Sequence, residues 1–309
     1  MFTLTGMGRG EDTMLTRKFI KSYGFGYLLL APAVLYLVAF QFYPLFETVR
    51  LSLFDYSLIS NRAMSFIGLD HYTYFLTEDD RFWKIMRNSL VWVIGSTVFQ
   101  FAVAIPAALI LNAKIRSRGL WRGLMMVPWV SPVVIIGIVW KWIYDGHNGI
   151  ANHYLSEWGI IRESIVWLGD DFWVWPALLL TSVWKGFPYI ALMLLSGLTG
   201  ISKEMMEAAE VDGATGWQRL VRIVLPLLKP IMYVTGMVSI VSSWTKFEMI
   251  WALTNGGPGF ETSILPTYVY TNAFVYYDLG RGSAIATLSM LFVLVLVAIY
   301  AGLFGRDNE

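Results

Sequence analysis

Two lysines set the chemical question. Lys185 and Lys246 lie inside long apolar stretches of this 309-residue chain. A charged side chain at membrane depth costs at least about 2.5–3.5 kcal/mol on insertion scales and is functional by default. Lys185 stands roughly 13 residues from one end of its stretch and Lys246 roughly 15 residues into the next, so at 1.5 Å per residue both reach about 20–23 Å from the same face. Two ammonium groups at one depth on neighbouring segments repel unless an anion sits between them. The chemistry they offer is therefore anion pairing, unless Glu248 or a partner's carboxylate neutralises one of them. Ser239 and Ser243, four residues apart, share one helical face and can donate to a hydroxylated ligand. Small residues of that kind also let helices pack closely.

Other chemistries are excluded. The chain has no cysteine, which removes disulfides, thiolate metal sites and cysteine nucleophiles. His71, His147 and His153 fall in loops and lack a metal-ligand spacing. No serine–histidine–acid set lies within the apolar segments, and an intramembrane enzyme would find only Glu248 at mid-depth. The glycine-rich stretch Asn255–Ser263 is followed by no GK[ST], so it is not a phosphate loop, and the chain cannot hydrolyse ATP alone. A net charge of +1 gives no case for nucleic acid.

The elements that position these residues follow from composition. The chain is 56% hydrophobic and 15% charged, with a mean hydropathy of +0.56. That balance, with apolar runs beyond about 18 residues, predicts an all-α polytopic membrane protein. Six spans are expected, at Gly24–Phe46, Ser89–Asn112, Leu124–Tyr144, Val174–Leu198, Ile231–Thr254 and Ser283–Phe304. The first follows Arg17, Lys18 and Lys21 as a signal peptide would, but it exceeds an h-region of about 7–15 residues and is read as a retained span. The division expected is a tail over 1–22 and one six-span domain over 23–309.

Lys and Arg crowd the N-terminal tail (Arg9, Arg17, Lys18, Lys21), the second interspan loop (Lys114, Arg116, Arg118, Arg122) and the fourth (Lys203, Arg219, Arg222, Lys229). The positive-inside rule makes that side and both termini cytoplasmic. Trp83, Trp92, Trp129, Trp142, Tyr144, Trp173 and Trp175 near span ends suit an interfacial aromatic belt.

The fourth interspan loop, 200–230, is polar and amphipathic. Ser202 is a candidate N-cap with Glu204 in the first turn, Asp212-Gly213 is a turn dipeptide, and a second amphipathic stretch is expected to end at Pro226. Amphipathicity alone also fits a helix resting on lipid headgroups.

Glu207-Ala208-Ala209, then Asp212-Gly213, then Ile223-x-Leu225-Pro226, resembles the EAA loop of ABC importer permeases. Leu28–Leu45, Trp121–Asn152, Trp184–Tyr189 (WKGFPY) and Leu253–Pro258 (LTNGGP) are similar to sugar permeases of the maltose-type, MalF-like subfamily. The resemblance implies a type I importer permease (MetI-like) fold in a bacterial or archaeal cytoplasmic membrane. It implies that the loop docks in a cleft of a cytoplasmic ATPase, with Glu207 making a charge-assisted contact and Gly213 allowing close approach.

It further implies cargo contacts near mid-depth, at Ser182, Lys185 and Gly186 on the fourth span and at Ser239, Ser243 and Lys246 on the fifth. The lysines depart from the family's pattern and bring an acidic saccharide, such as a uronate oligosaccharide or a sugar phosphate, into view beside a neutral one. Trp184, Tyr189, Trp244 and Trp251 offer aromatic faces to sugar rings or, equally, to packing. The partners implied are a MalG-like second permease, a MalK-like ATPase pair that binds ATP and Mg, an extracytoplasmic solute-binding protein and membrane lipid. No cofactor is expected in this chain. A channel of identical subunits would leave the loop unexplained.

Overall fold

The computed structural model of the chain describes residues 26–305 apart from 61, 62 and 114. The tail 1–22, the start of the first span and the basic residues Arg9, Arg17, Lys18, Lys21, Arg62 and Lys114 lie outside the described residues.

The first span, α1 (Gly26–Leu51), has no part of its most apolar stretch buried within this chain. A two-residue hairpin follows, β1 (Phe54–Asp55) pairing antiparallel with β2 (Ser65–Phe66). α2 (Asp80–Asn112) begins nine residues before the expected Ser89, because the side chain of Asp79 caps it by accepting from the Arg81 N–H at 3.1 Å.

The third span is broken. α3 (Arg118–Val130) and α4 (Val133–Ile143) meet at 91°. Pro128 and Pro132 each lack an N–H, and Pro132 forces Ser131 into extended backbone (φ −63°, ψ 138°). A short helix, α5 (Ile150–Glu157), lies in the next loop, before α6 (Val174–Thr199), which packs along α2.

The loop helix α7 (Lys203–Val211) leads into α8 (Gly216–Thr245). Here the expectation of a stop at Pro226 fails. A proline ring presses on the carbonyl four residues back. The wider π turn at Leu220–Val224 absorbs that conflict, so the amphipathic stretch and the fifth span form one 30-residue helix. The same helix ends at Thr245, not Thr254: Lys246 turns extended (φ −82°, ψ 95°) and α9 (Glu248–Thr254) starts afresh. After the glycine-rich loop come α10 (Leu265–Tyr270) and the last span, α11 (Leu279–Phe304). Among the described residues five continuous helices are long and apolar enough to cross a membrane, and the bent pair, counted as one span, brings the number to six.

Two apolar clusters hold the bundle. One joins Trp92 and Val93 of α2, Leu178 of α6, and Ile240 and Trp244 of α8 to Ile250, Leu265 and Ile285. The other, toward the α7 end, joins Ala104 and Ala108 of α2, Ile190 and Leu194 of α6, and Val224 and Leu228 of α8. Between them on the same three helices lies a buried polar layer: Ser96, Gln100, Ser182, Thr235 and Ser239. A polar layer in an apolar bundle is costly unless its groups bond to each other or face a wet cavity. Both happen here.

Candidate functional site

The polar layer opens onto a cavity of about 330 Å³. That lies at the lower end of the range of small-ligand sites, roughly 300–1,000 Å³. α2 contributes Trp92 and Gln100; the elbow between α3 and α4 contributes Trp129 and Val133; α6 contributes Ser182, Lys185, Gly186 and Tyr189. α8 adds Val238, Ser239, Ser242 and Ser243, and the break after it adds Lys246, Glu248 and Met249. All six contact residues implied by the resemblance, Ser182, Lys185, Gly186, Ser239, Ser243 and Lys246, therefore converge here with one of the four aromatic candidates, Tyr189.

Trp184 does not. It stands edge-on to Trp140 at 5.6 Å, one helical step away from the cavity wall. The other two aromatic candidates are packing residues: Trp244 is buried with its indole N–H donating to Ser289 Oγ at 2.9 Å, and Trp251 packs edge-on against Tyr270 at 4.6 Å. The wall's aromatic surface comes instead from Tyr189 stacked on Trp129, with ring centres 5.7 Å apart and planes 13° apart, and from Trp92.

The residue that sequence reasoning passed over is Gln100. Its amide nitrogen donates to the Ser182 carbonyl at 3.1 Å and to Ser182 Oγ at 3.2 Å, while Ser182 Oγ donates to Ser96 Oγ at 3.0 Å. An uncharged polar residue in the middle of the second span was the available signal. Gly186 makes room for it, since a Cβ there would overlap the Gln100 amide. Gly186→Ala is accordingly expected to displace that amide and to destabilise the protein by about 1–3 kcal/mol, the range for overpacking. Thermal unfolding of the purified variant checks this.

The two lysines differ. Lys185 is half-buried and its ammonium donates to the carbonyls of Ser131 (2.8 Å), Trp129 (3.2 Å) and Pro128 (3.5 Å) at the elbow. Lys246 sits exposed to the cavity. Its backbone N–H donates to the Ser242 carbonyl at 3.2 Å, and among the described residues its ammonium has no ion pair, Glu248 included.

At the far end of α8 the two-helix loop is a stiff, exposed unit. Ser202 Oγ accepts from the Met205 N–H at 3.3 Å, as the N-cap reading expected. Thr215 and Gln218 form a reciprocal capping box, and Arg219 pairs with Glu210 across the turn at 2.7 Å. Gly213 sits at φ +79°, the left-handed region that glycine alone enters without strain, and nothing in the chain approaches it. Glu207 and Asp212 are exposed, while Ile223 and Leu225 are half-buried against the lower cluster and Pro226 is exposed. Ala209, Asp212, Gly213, Ala214, Gln218, Arg222 and Ile223 surround a surface hollow of about 400 Å³. Val211 and Trp217 stand 87% and 72% exposed beside it, apolar surface that none of the described residues covers. Among the described residues, no three His, Asp or Glu side chains gather as a metal site.

Comparison with known proteins agrees with this architecture. The chain is 32% identical over 273 residues (88% of each chain) to the sulfoquinovosyl glycerol transport system permease protein SmoG of Agrobacterium fabrum. It is 33% identical over 303 residues, 96% of this chain and 100% of the other, to the trehalose/maltose transport system permease protein MalF of Thermococcus litoralis. In fold it superposes with a TM-score of 0.81 on a chain of a bacterial alginate ABC transporter, at 23% identity and covering 94% of this chain and 98% of that one. Residues 100–306, which hold the elbow, the two-helix loop and all of the cavity lining but Trp92, match one family, so the chain belongs to the binding-protein-dependent transport system inner membrane components.

Proposed function

We propose that this chain forms half of the translocation path of an ATP-driven saccharide importer, and that the loop carrying Glu207 docks on a cytoplasmic ATPase. The observation that carries the reading is the continuity of α8. Thirty residues at 1.5 Å rise make a rod about 45 Å long. One end carries the exposed loop; the other carries Ser239, Ser243 and Lys246 of the cavity. Beyond the turn braced by Arg219 and Glu210, a push on the Glu207–Pro226 unit reaches Ser239 and Ser243 along one continuous helix, and Lys246 just past its end.

The family is one of transport components, not enzymes. Arg116, Arg118, Arg122, Lys203, Arg219, Arg222 and Lys229 at the loop end support a cytoplasmic placement of that end. The cavity is walled by one chain only, which supports a MalG-like second permease enclosing the other side. A MalK-like ATPase pair would hold the ATP and Mg. An extracytoplasmic solute-binding protein, in keeping with the family's description, would deliver cargo to the opposite face.

The cargo reading the cavity supports first is a neutral saccharide. Ser239, Ser242, Ser243 and Gln100 suit sugar hydroxyls, and Trp129 with Tyr189 and Trp92 suit the apolar ring faces. The N–H groups of Lys185 are taken by elbow carbonyls, so it keeps its charge beside the cavity but has no donor left over for cargo. Relatives named for trehalose/maltose support the same reading.

A second reading, an acidic saccharide, rests on the unpaired Lys246; a relative named for a sulfo-sugar supports it. The test is saccharide-stimulated ATP hydrolysis by the whole purified complex, with a neutral disaccharide and a uronate oligosaccharide. Lys246→Gln is expected to lower the response to the uronate by roughly ten- to a hundredfold, the worth of one charged hydrogen bond, and to spare the neutral sugar. An unchanged ratio removes the acidic reading; a wild-type complex that answers to no saccharide removes both.

A further inference from the structure

We infer that Lys185 is a positioning residue: it clamps the broken third span at its elbow and so holds Trp129 in the cavity wall, rather than touching cargo. The break leaves carbonyls at the end of α3 without helical partners, because Pro132 has no N–H to offer and Ser131 has left the helix. Freed carbonyls at membrane depth need donors from protein, since lipid supplies none. An ammonium has three N–H groups, and three carbonyls surround the one on Lys185: Pro128, Trp129 and Ser131. The negative end of the α3 dipole also favours a cation there. The clamp is bound on both sides, because α6 carries Lys185 and also Tyr189, on which the Trp129 ring is stacked. Backbone and side chain of Trp129 are thus both fixed to α6, and the 91° turn is held with them.

The absence of native cysteine allows a direct reading. Cysteines placed at Leu124 on α3 and Ile138 on α4, both exposed, take spin labels whose separation reports the elbow angle in the assembled complex. Lys185→Met is expected to shift or broaden that separation, and Lys185→Arg, which keeps charge and donors, to restore it. Uptake of neutral and acidic saccharides by the Met variant is expected to fall together, by roughly tenfold or more, the effect of stranding buried carbonyls. A Met variant with the wild-type separation overturns the inference, as does one whose uptake changes for acidic cargo alone. If the Met variant does not assemble, Lys185→Gln, with two N–H donors, is expected to give an intermediate separation, and a wild-type separation in that variant counts against the clamp. The uptake arm rests on the saccharide-importer reading. Were the wild-type complex to import no saccharide, that reading would fall and the label distances would still judge the elbow.

Discussion

Replacing Glu207 with alanine is expected to cut ATP-driven uptake about a hundredfold or more while leaving the protein folded and inserted. Glu207 lies on the exposed face of α7 and makes no ion pair among the described residues, so its removal strands nothing inside the chain. The loop's stiffness rests on other groups: the Ser202 cap, the Thr215–Gln218 box and the Glu210–Arg219 bridge. If Glu207 is paired with a cation on the ATPase, truncating one partner of a desolvated charge pair costs roughly 2–5 kcal/mol, which is about thirtyfold to several thousandfold in association. Co-purification of the ATPase and uptake into vesicles are the measurements, with thermal unfolding of the isolated permease as the control. Uptake within twofold of wild type would show that the ATPase grips elsewhere.

The size of that effect follows from how α8 is built. Had the amphipathic stretch ended at Pro226, a flexible joint would separate the loop from the cavity. The π turn at Leu220–Val224 removes the joint, and Val224 and Leu228 bury the helix against α2 and α6 just beyond it. The turn between α7 and α8 is the one place where the unit bends sharply, and there the bridge from Arg219 to Glu210 ties the two helices together. Force applied at Glu207 therefore has a short, braced route to Ser239 and Ser243.

Much of this was legible in the sequence, for a physical reason. Apolar length alone marks α6 and α11 to within a few residues, because lipid tolerates only fully hydrogen-bonded backbone. The cavity residues on α6 and α8 were reached through motif resemblance and a shared depth, and all six implied contacts converge together with Tyr189. Trp184 lies off the wall because an aromatic side chain carries no signal for which side of a helix it occupies; Lys185, one residue and about 100° further round, lines the cavity.

The break after Thr245 was invisible because Lys246-Phe247 contains neither Gly nor Pro. The elbow was half visible: Pro128 and Pro132 mark a kink, but a right angle needs Ser131 in extended backbone and a donor from another helix. Lys185 lines the cavity as expected, but composition cannot say that carbonyls from 54 to 57 residues away would take its N–H groups. Gln100 and Asn88, polar residues on the second span's helix, carried a signal that charge-based reading ignored.

Asn88 supplies the second large effect. It is 2% exposed on α2, and its amide nitrogen donates to the carbonyls of Glu261 at 2.8 Å, Ser263 at 3.1 Å and Phe260 at 3.4 Å. Those carbonyls belong to the glycine-rich loop, whose backbone is unusual: Asn255, Gly256, Gly259 and Phe260 all have positive φ, between 49° and 85°. For Phe260, at +70°, that conformation costs about 1–3 kcal/mol and persists only where the surroundings over-determine it. The surroundings here are Asn88, the Arg81 guanidinium 4.9 Å over the Phe260 ring, the Lys84–Glu261 ion pair and Ser89 Oγ, which accepts from the Leu265 N–H at 2.8 Å. Asn88→Leu keeps the volume and removes the donor. The Phe260 carbonyl keeps the Ser263 N–H as a donor, but with the carbonyls of Glu261 and Ser263 stranded at about 1–3 kcal/mol each, a loss near 3 kcal/mol is expected, and the strain at Phe260 gives the loop a reason to leave. Amide hydrogen exchange across 255–265 reads this directly: protection there is expected to drop by roughly a hundredfold, the equivalent of that loss, while α6 stays protected. Exchange within threefold of wild type would mean that Arg81, Lys84 and Ser89 hold the loop without Asn88.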